Sequence, residues 1–159
     1  MSWEKEIEEL ETRGKLAEAM GGADKVARQH EFNKLTIRER IEAIVDPGSF
    51  HEIGKLAGVA SYDDDGNLIS FTPANYLFGT AEIEGRPVMV SGDDFTVRGG
   101  SADASIAGKR LQAEAMALEL QLPHIRLVDG MGGGGSVKTI EMSGRPYIPR
   151  VAGWDVIVT

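Results

Sequence analysis

The sequence contains no cysteine, no apolar run long enough to cross a membrane and no excess of basic residues. The lack of cysteine excludes a disulfide framework, a thiolate zinc site and a cysteine nucleophile. A membrane helix would need ~20 consecutive apolar residues. The 25 Asp and Glu residues outnumber the 17 Lys and Arg residues, which gives a formal net charge of −8. Because nucleic-acid binding needs clustered positive charge, we expect neither a nucleic acid nor a membrane as a partner.

The start of the chain is acidic and lacks the apolar region of a secretory signal. We therefore expect the protein in the cytoplasm or in an organelle matrix.

Glycine is the residue in excess. The chain has 20 glycines in 159 residues, about 13%, against a usual ~7%. Many of them lie in two clusters, around Gly99 and from Gly130 to Gly135. Since 42% of the residues are apolar, there is enough material for a core, and the clustered glycine indicates that the backbone itself has a function.

Residues 1–46 predict a helical arm. Residues 2–20 place apolar side chains on a narrow stripe at helical spacing, and Gly21-Gly22 ends this segment. A second, short helix is expected over residues 23–33. A third begins at Thr36, which opens a Thr-x-x-Glu capping box, and ends where Asp-Pro-Gly follows. The narrow stripe suits a helix that lies on a partner or on a larger body.

Residues 47–159 predict a mixed α/β domain. The predicted elements are a strand at 50–53, a polar loop or hairpin tip at 60–73, a hairpin of 77–83 with 88–91, a loop at 92–100, a helix from Ser101 to Leu120 and a strand at 124–129. The buried face of the long helix is expected to carry mostly small residues, namely Ala104, Ala107, Gly108, Leu111, Ala115 and Leu118. Such a helix can lie close to a sheet.

Three polar patterns favour ordinary structure over a site. Asp63-x-Asp65-x-Asn67 begins like a calcium loop but lacks the glycine and the glutamate that such a loop needs later, so it predicts a solvated turn. The three histidines follow no metal-ligand spacing, and no metal site is predicted. Asp93 and Asp94 would point to opposite faces of a strand, which favours loop capping over a carboxylate pair.

The second glycine cluster follows a predicted strand and has four interpretations. Residues 130–135 fit the G-x-G-x-x-G pattern of a dinucleotide fold, but Pro146 and Pro149 interrupt the helix that this fold requires. A P-loop requires lysine directly after the last glycine, and here Ser136-Val137 intervene. A purely structural turn is a third interpretation. The fourth is a site whose backbone N–H groups stabilise a developing oxyanion, which would explain why no nucleophile or general base is evident.

Five segments along the chain form a more specific pattern. They are Arg28-Gln29-His30, Lys34-Leu35-Thr36-x-Arg38-Glu39-Arg40-Ile41, Asp46-Pro47-Gly48-Ser49-Phe50-His51-Glu52, Gly85-Arg86-Pro87-Val88 and Asp94-Phe95-Thr96-Val97-x-Gly99-Gly100-Ser101. In this order they resemble the β-type carboxyltransferase subunit of biotin-dependent acyl-CoA carboxylases. That family usually carries Asp-Ser-Gly-Gly-Ala-Arg where this chain has Asp129-Gly130-Met131 and four further glycines.

The resemblance implies an α/β crotonase-like fold, which is a spiral of ββα units, incomplete here and preceded by the arm. The chain would be the N-terminal part of such a subunit, truncated after residue 159. The implied activity is carboxyl transfer from carboxybiotin, on a separate carrier protein, to the α-carbon of an acyl-CoA. Backbone N–H groups would hold the enolate and the released biotin would act as the base. Both glycine loops must then lie on the same side of the sheet.

The resemblance also implies site residues and partners. Gly132 and Gly133 would supply the oxyanion N–H groups. CoA would be contacted by the first glycine loop and the helix after it, at Arg98, Gly99, Gly100, Ser101, Lys109 and Arg110. The partners would be a biotin carboxylase and a biotin carrier subunit, together with further copies of the chain in a homo-oligomer. The alternative is a non-catalytic module that binds CoA or a nucleotide at the glycine-rich loop 130–136.

Overall fold

A computed structural model describes residues 3–101 and 108–130. Within these ranges the chain forms α1 (Glu4–Glu18), α2 (Ala23–Glu31), α3 (Ile37–Glu42), β1 (His51–Glu52), β2 (Gly58–Tyr62), β3 (Leu68–Pro73), β4 (Tyr76–Ile83), β5 (Arg86–Asp93), a 3₁₀ turn (Arg98–Gly100), α4 (Gly108–Glu119) and β6 (His124–Leu127). Apart from the β2–β3 hairpin, the element order agrees with the prediction. No helix of the described ranges has the length and apolarity to cross a bilayer.

β4 and β5 form the centre of a four-stranded sheet with the order β1-β4-β5-β6. β1 and β5 pair with β4 in antiparallel fashion, whereas β6 pairs with β5 in parallel. The turn residues Glu84 and Gly85 have φ angles of 52° and 71°, the left-handed geometry of a type I′ hairpin. α4 connects β5 to the parallel strand β6 and packs on β4 and β5. Hairpin, helix and strand thus form the predicted ββα unit.

The sheet is buried on both faces. Strand residues of one face pack with α3 in a cluster of Ile37, Ile41, Leu77, Ala81, Val88 and Val90. Strand residues of the other face pack with α4 in a cluster of Tyr76, Phe78, Met89, Ala113 and Ala117. Because successive strand residues point to opposite faces, this double burial explains why β4 and β5 are apolar without alternation.

The predicted buried face of α4 is wrong in the described part of the helix. Ala113 and Ala117 are buried, with 0% and 5% exposure, whereas Leu118 is 59% exposed. Ala115 is exposed as well. The buried alanines face the rings of Tyr76 and Phe78, and the bulk of these rings leaves room only for small side chains. Alanine occurs on both sides of the helix, so its sequence alone could not identify the side that meets the sheet.

α1 packs on β3 of the separate β2–β3 hairpin. Its Arg13 guanidinium lies 5.6 Å from the ring centroid of Tyr62 and 5.8 Å from that of Phe71. The apolar stripe of α1 remains largely uncovered, with Trp3 at 65% and Ile7 at 53% exposure. The stripe therefore does not pack into the sheet's core.

Residues 60–73, predicted as a polar loop or hairpin tip, form most of the β2–β3 hairpin. At the tip, Asp63 Oδ1 accepts hydrogen bonds from the backbone N–H groups of Asp65 and Asn67 at 3.1 and 2.7 Å. The acidic pattern that begins like a calcium loop thus serves as the cap of a solvated turn.

The predicted capping box at the start of α3 is confirmed. Thr36 Oγ1 accepts from the Glu39 N–H at 3.4 Å, and Glu39 Oε2 accepts from the Thr36 N–H at 2.7 Å. The Glu39 carboxylate also contacts His30 Nε2 at 2.9 Å. Shortly after α3, the Asp46 carboxylate accepts from both N–H groups of the β4–β5 turn at 2.9 and 2.8 Å. Within the arm, α3 is therefore tied to α2, and the end of the arm is tied to the sheet.

Glu39→Gln is expected to remove an acid-sensitive contribution to stability. The hydrogen bond from His30, followed by those from Thr36, lowers the pKa of Glu39 from 4.5 to about 2. A carboxyl with a lower pKa in the folded protein stabilises the fold above its unfolded pKa, and this contribution disappears as the pH falls towards the folded value. Between about pH 5 and about pH 2, the variant should therefore lose less stability than the wild type. Urea unfolding followed by circular dichroism measures this loss. Glu42→Gln removes a carboxylate from the same helix outside the capping box and is the control for loss of charge alone. If Glu39→Gln loses as much free energy of unfolding as the wild type over this pH range, the prediction is contradicted.

Candidate active site

The first glycine loop and the start of the second meet at one edge of the sheet. The first follows β5 and the second follows β6, and the carboxyl ends of parallel neighbours lie at the same edge. A Cβ atom built on Gly100 would lie 2.6 Å from the Asp129 carbonyl oxygen and 3.2 Å from the Gly130 Cα. The prediction that both loops lie on the same side is confirmed for this described start of the second loop.

The first glycine loop contains an unusual backbone turn. Arg98, Gly99 and Gly100 have φ angles of 54°, 64° and 62°, so three successive residues are left-handed. Glycine adopts this conformation freely, whereas a side chain is strained there. At Gly100 the conformation and the close approach to Gly130 both require glycine.

A buried ion pair between Arg110 and Asp93 is connected to this turn. The Arg110 guanidinium lies 2.6 Å from Asp93 Oδ1, with side-chain exposures of 13% and 3%. The same guanidinium donates to the Gly100 carbonyl at 3.0 Å and lies 5.2 Å from the ring centroid of Tyr76. Arg126 approaches the same carboxylate at 3.9 Å. The end of β5, the start of α4 and the glycine turn are thus joined through one arginine.

Lys109, the neighbouring predicted CoA contact, is also engaged within the protein. Its side chain is 6% exposed and its Nζ lies 3.7 Å from Glu52 Oε1. Burial lowers the pKa of Lys109, and the Glu52 carboxylate opposes this shift. Arg38 contacts the same carboxylate at 2.9 Å. Lys109 and Arg110 therefore pair with carboxylates of β1 and β5.

Asp94 caps the loop, as predicted. It is 1% exposed, and its Oδ1 accepts from the N–H and the hydroxyl of Thr96 at 2.9 and 2.6 Å. Burial raises the pKa of Asp94, and the two hydrogen bonds from Thr96 oppose the shift. For Asp93 the prediction of a loop cap is wrong, because its carboxylate forms an ion pair with the Arg110 guanidinium instead.

Three further residues were predicted to belong to the site, namely Ser101, Gly132 and Gly133. Ser101 is 5% exposed, and its carbonyl accepts from Asn75 Nδ2 at 2.6 Å, which fixes the exit of the glycine loop. Gly132 and Gly133 lie outside the described residues. The structure thus brings together the turn Arg98–Gly100, Ser101, Arg110 and the start of the second loop.

A chain of polar side-chain contacts that links three neighbouring strands is not evident from the sequence. Tyr76 OH donates to Ser91 Oγ at 2.7 Å, and Ser91 Oγ lies 2.7 Å from His124 Nε2. Burial lowers the pKa of His124. The three residues belong to three different strands, so only the pairing of β4, β5 and β6 reveals the chain. Ordinary structure is the role predicted for this histidine, and its contacts agree with that role.

Comparisons with known proteins agree with this geometry. A family model for the carboxyl transferase domain matches residues 28–157. The propionyl-CoA carboxylase beta chain of Cereibacter sphaeroides is 39% identical over 128 residues, which cover 79% of this chain and 25% of that protein. The mitochondrial methylcrotonoyl-CoA carboxylase beta chain of Arabidopsis thaliana is 36% identical over 147 residues, which cover 92% of this chain and 22% of that protein. This chain thus spans about a quarter of the length of the curated relatives it matches.

A solved structure supports the same relationship. The transcarboxylase 12S hexamer, solved with methylmalonyl-coenzyme A bound, matches with a TM-score of 0.72 and 31% identity over 87% of this chain and 27% of the 12S chain. The likeness confirms the α/β, crotonase-like fold class predicted from the sequence. Since the family match extends over most of the sequence, the chain belongs to the carboxyl transferase domain family.

Proposed function

We propose that the protein transfers a carboxyl group from carboxybiotin, held on a separate carrier protein, to the α-carbon of an acyl-CoA. The observation that carries the proposal is the contact between the two glycine loops, where Gly100 lies against Asp129 and Gly130. Gly100 and the start of the second glycine-rich segment thus place backbone atoms, with little side-chain bulk, at one edge of the sheet. Fixed backbone N–H donors stabilise the charge that develops on an enolate oxygen.

In this proposal the acyl-CoA thioester lies beside the two loops. The bond between the carboxyl carbon and the biotin nitrogen breaks first, which releases carbon dioxide and leaves the electron pair on the nitrogen. This nitrogen takes the α-proton, while the N–H groups of Gly132 and Gly133 donate to the thioester oxygen of the enolate that forms. The α-carbon then forms a bond to the carbon dioxide, so atoms and charges balance.

The residues of the first loop have separate roles in this proposal. The turn Arg98–Gly100 and Ser101 line the path of the acyl-CoA. Arg110 acts as a positioning residue, because its guanidinium holds the Gly100 carbonyl and is paired with Asp93. Lys109 pairs with Glu52 in the same way. In this proposal neither the Lys109 ammonium nor the Arg110 guanidinium contacts the CoA phosphates.

We further propose a biotin carboxylase and a biotinylated carrier as partners, and a homo-oligomeric assembly. Two relatives are named as beta chains of carboxylases, and the 12S structure is described as a hexamer. Residues 1–46 would be an arm, and residues 47–159 the N-terminal part of the carboxyltransferase domain. The proposed compartment is the cytoplasm or an organelle matrix; one relative is named as mitochondrial.

A carboxyl-transfer assay tests the proposed function. The protein, as its gene encodes it, is purified and mixed with a carboxylated biotin carrier and acyl-CoAs of increasing chain length, and products are identified by mass spectrometry. We expect at least one acyl-CoA to gain a carboxyl group at its α-carbon. If acyl-CoA binds but none is carboxylated, while a known carboxyltransferase is active with the same carrier, the catalytic proposal fails and the non-catalytic binding module is favoured.

A further inference from the structure

Asp129 leads into the second glycine loop, and two cations from the helices before β1 face its carboxylate. Lys34 Nζ lies 3.7 Å from Asp129 Oδ1, and Arg40 Nη1 lies 4.0 Å from Asp129 Oδ2. The two cations thus approach different oxygens of one carboxylate. We call these three residues the Asp129 clamp. The resemblance to the family assigned no role to any of them.

The two cations project from firmly packed backbone. Arg40 lies on α3, whose Ile37 and Ile41 are 3% and 1% exposed and belong to the core cluster on the sheet. Lys34 lies between α2 and α3, and its N–H donates to the Gln29 carbonyl at 3.0 Å. Groups carried on rigid elements hold their partners more precisely than groups on loops do. The cations are therefore the fixed side of the clamp.

The other side of the clamp is the place where the two glycine loops meet. A Cβ atom at Gly100 would lie 2.6 Å from the Asp129 carbonyl oxygen, so the backbone of Asp129 lies against the first loop. Lys34 Nζ also lies 5.2 Å from the ring centroid of Phe95, in the segment that leads into the first loop. Lys34 therefore contacts the approaches to both loops.

The exposure of the clamp indicates a role in positioning more than in stability. The side chains of Lys34, Arg40 and Asp129 are 51%, 27% and 24% exposed. Ion pairs with this much access to solvent contribute little to the free energy of unfolding. A small displacement of groups that position a substrate, in contrast, can reduce the rate about 100-fold. Loss of the clamp should therefore affect turnover far more than folding.

We infer that Lys34 and Arg40 are positioning residues for carboxyl transfer, which act through Asp129 to hold the start of the second glycine loop against the first. Neither cation contacts the substrate. The inference rests on the proposed function, because it takes Gly132, three residues after Asp129, as a donor to the enolate oxygen.

A double-mutant cycle in the carboxyl-transfer assay tests this inference. Arg40→Gln should lower kcat about tenfold and change KM for the acyl-CoA by less than about twofold, since substrate binding is not its target. Asp129→Asn should lower kcat by a similar factor. The combined variant should be no slower than either single variant, because residues that act through one contact are not additive.

Matched variants separate positioning from loss of charge or fold. Arg40→Lys keeps the positive charge and should recover most of the rate. Arg86→Gln removes an exposed arginine at the opposite end of β5 and should turn over like the wild type. Urea unfolding of Arg40→Gln should match the wild type closely. If Arg40→Gln does not fold, Lys34→Gln takes its place in the cycle.

Three results would overturn the inference. The first is wild-type kcat in Arg40→Gln. The second is a combined variant in which the losses of Arg40→Gln and Asp129→Asn multiply, since the arginine would then act independently of the carboxylate. The third is an equal loss in Arg40→Gln and Arg86→Gln, which would be an effect of charge alone.

Hydrogen exchange tests the clamp without reference to activity. Mass spectrometry follows exchange of the backbone amides in a peptide that covers residues 124–130. This exchange should be about two- to fivefold faster in Arg40→Gln than in the wild type, and unchanged in Arg86→Gln. If no acyl-CoA is carboxylated and the exchange accelerates, the clamp stands and the proposed function falls. If acyl-CoA is carboxylated and Arg40→Gln changes neither exchange nor kcat, the proposed function stands and the clamp falls.

Discussion

Gly100→Ala should reduce carboxyl transfer about 100-fold while the protein remains folded. The new Cβ would lie 2.6 Å from the Asp129 carbonyl oxygen and 3.2 Å from the Gly130 Cα. Both neighbours are backbone atoms that cannot rotate away, so the two glycine loops must separate. A displacement of ~1 Å between groups that position the substrate costs about 10² in rate. Steady-state kinetics in the carboxyl-transfer assay measures the effect, which should appear mainly in kcat.

Gly66→Ala is the matched control for this substitution. Gly66 has a φ angle of +77°, close to the +62° of Gly100, but no atom within 4 Å of the position of its Cβ. Both variants place an alanine in the left-handed conformation, which costs ~1–2 kcal/mol of conformational energy. Only Gly100→Ala also forces neighbouring atoms apart. Urea unfolding should show a loss for Gly100→Ala that exceeds the control by about 1–3 kcal/mol. Equal turnover in the two variants would contradict the shared site of the two loops.

Local patterns in the sequence were sufficient to predict the start of α3 and the turn between β4 and β5. The capping box of Thr36 and Glu39 depends on residues three apart, and the β4–β5 turn depends on two adjacent residues with left-handed geometry. Neither needs information from elsewhere in the chain. These elements were predicted because the interactions that define them lie within a few residues.

The ion pair beneath the glycine turn could not be predicted in the same way. Asp93 ends a strand and Arg110 lies within a later helix, and the sequence analysis predicts a loop cap for Asp93 and a CoA contact for Arg110. Only the packing of α4 on β5 brings them within 2.6 Å and buries both. The same packing selects the alanine face of α4, because the rings of Tyr76 and Phe78 exclude larger residues. Local patterns therefore predict turns and caps, whereas the pairing of Asp93 with Arg110 depends on tertiary packing.

Gly132→Pro and Gly133→Pro should each reduce turnover by about 10²–10³. Proline has no backbone N–H, so each variant removes one of the two donors proposed for the enolate oxygen. Loss of a single oxyanion donor costs about this factor in other acyl-transfer enzymes. Affinity for acyl-CoA should change little, because the donors act most strongly on the charge that develops during the reaction. Single-turnover kinetics and calorimetric titration with acyl-CoA separate the two effects.

Gly132→Ala and Gly133→Ala are the matched controls, since alanine keeps the N–H and adds only a methyl group. If the backbone donors carry the catalysis, each alanine variant should retain far more activity than its proline counterpart. Equal losses for alanine and proline would mean that the loop tolerates no side chain, and the oxyanion assignment would fail. Wild-type turnover in both proline variants would exclude these two residues and direct the search for donors to the turn Arg98–Gly100. In that turn the Gly100 N–H already donates to the Val97 carbonyl at 3.1 Å, so the Gly99 N–H would be the next candidate donor.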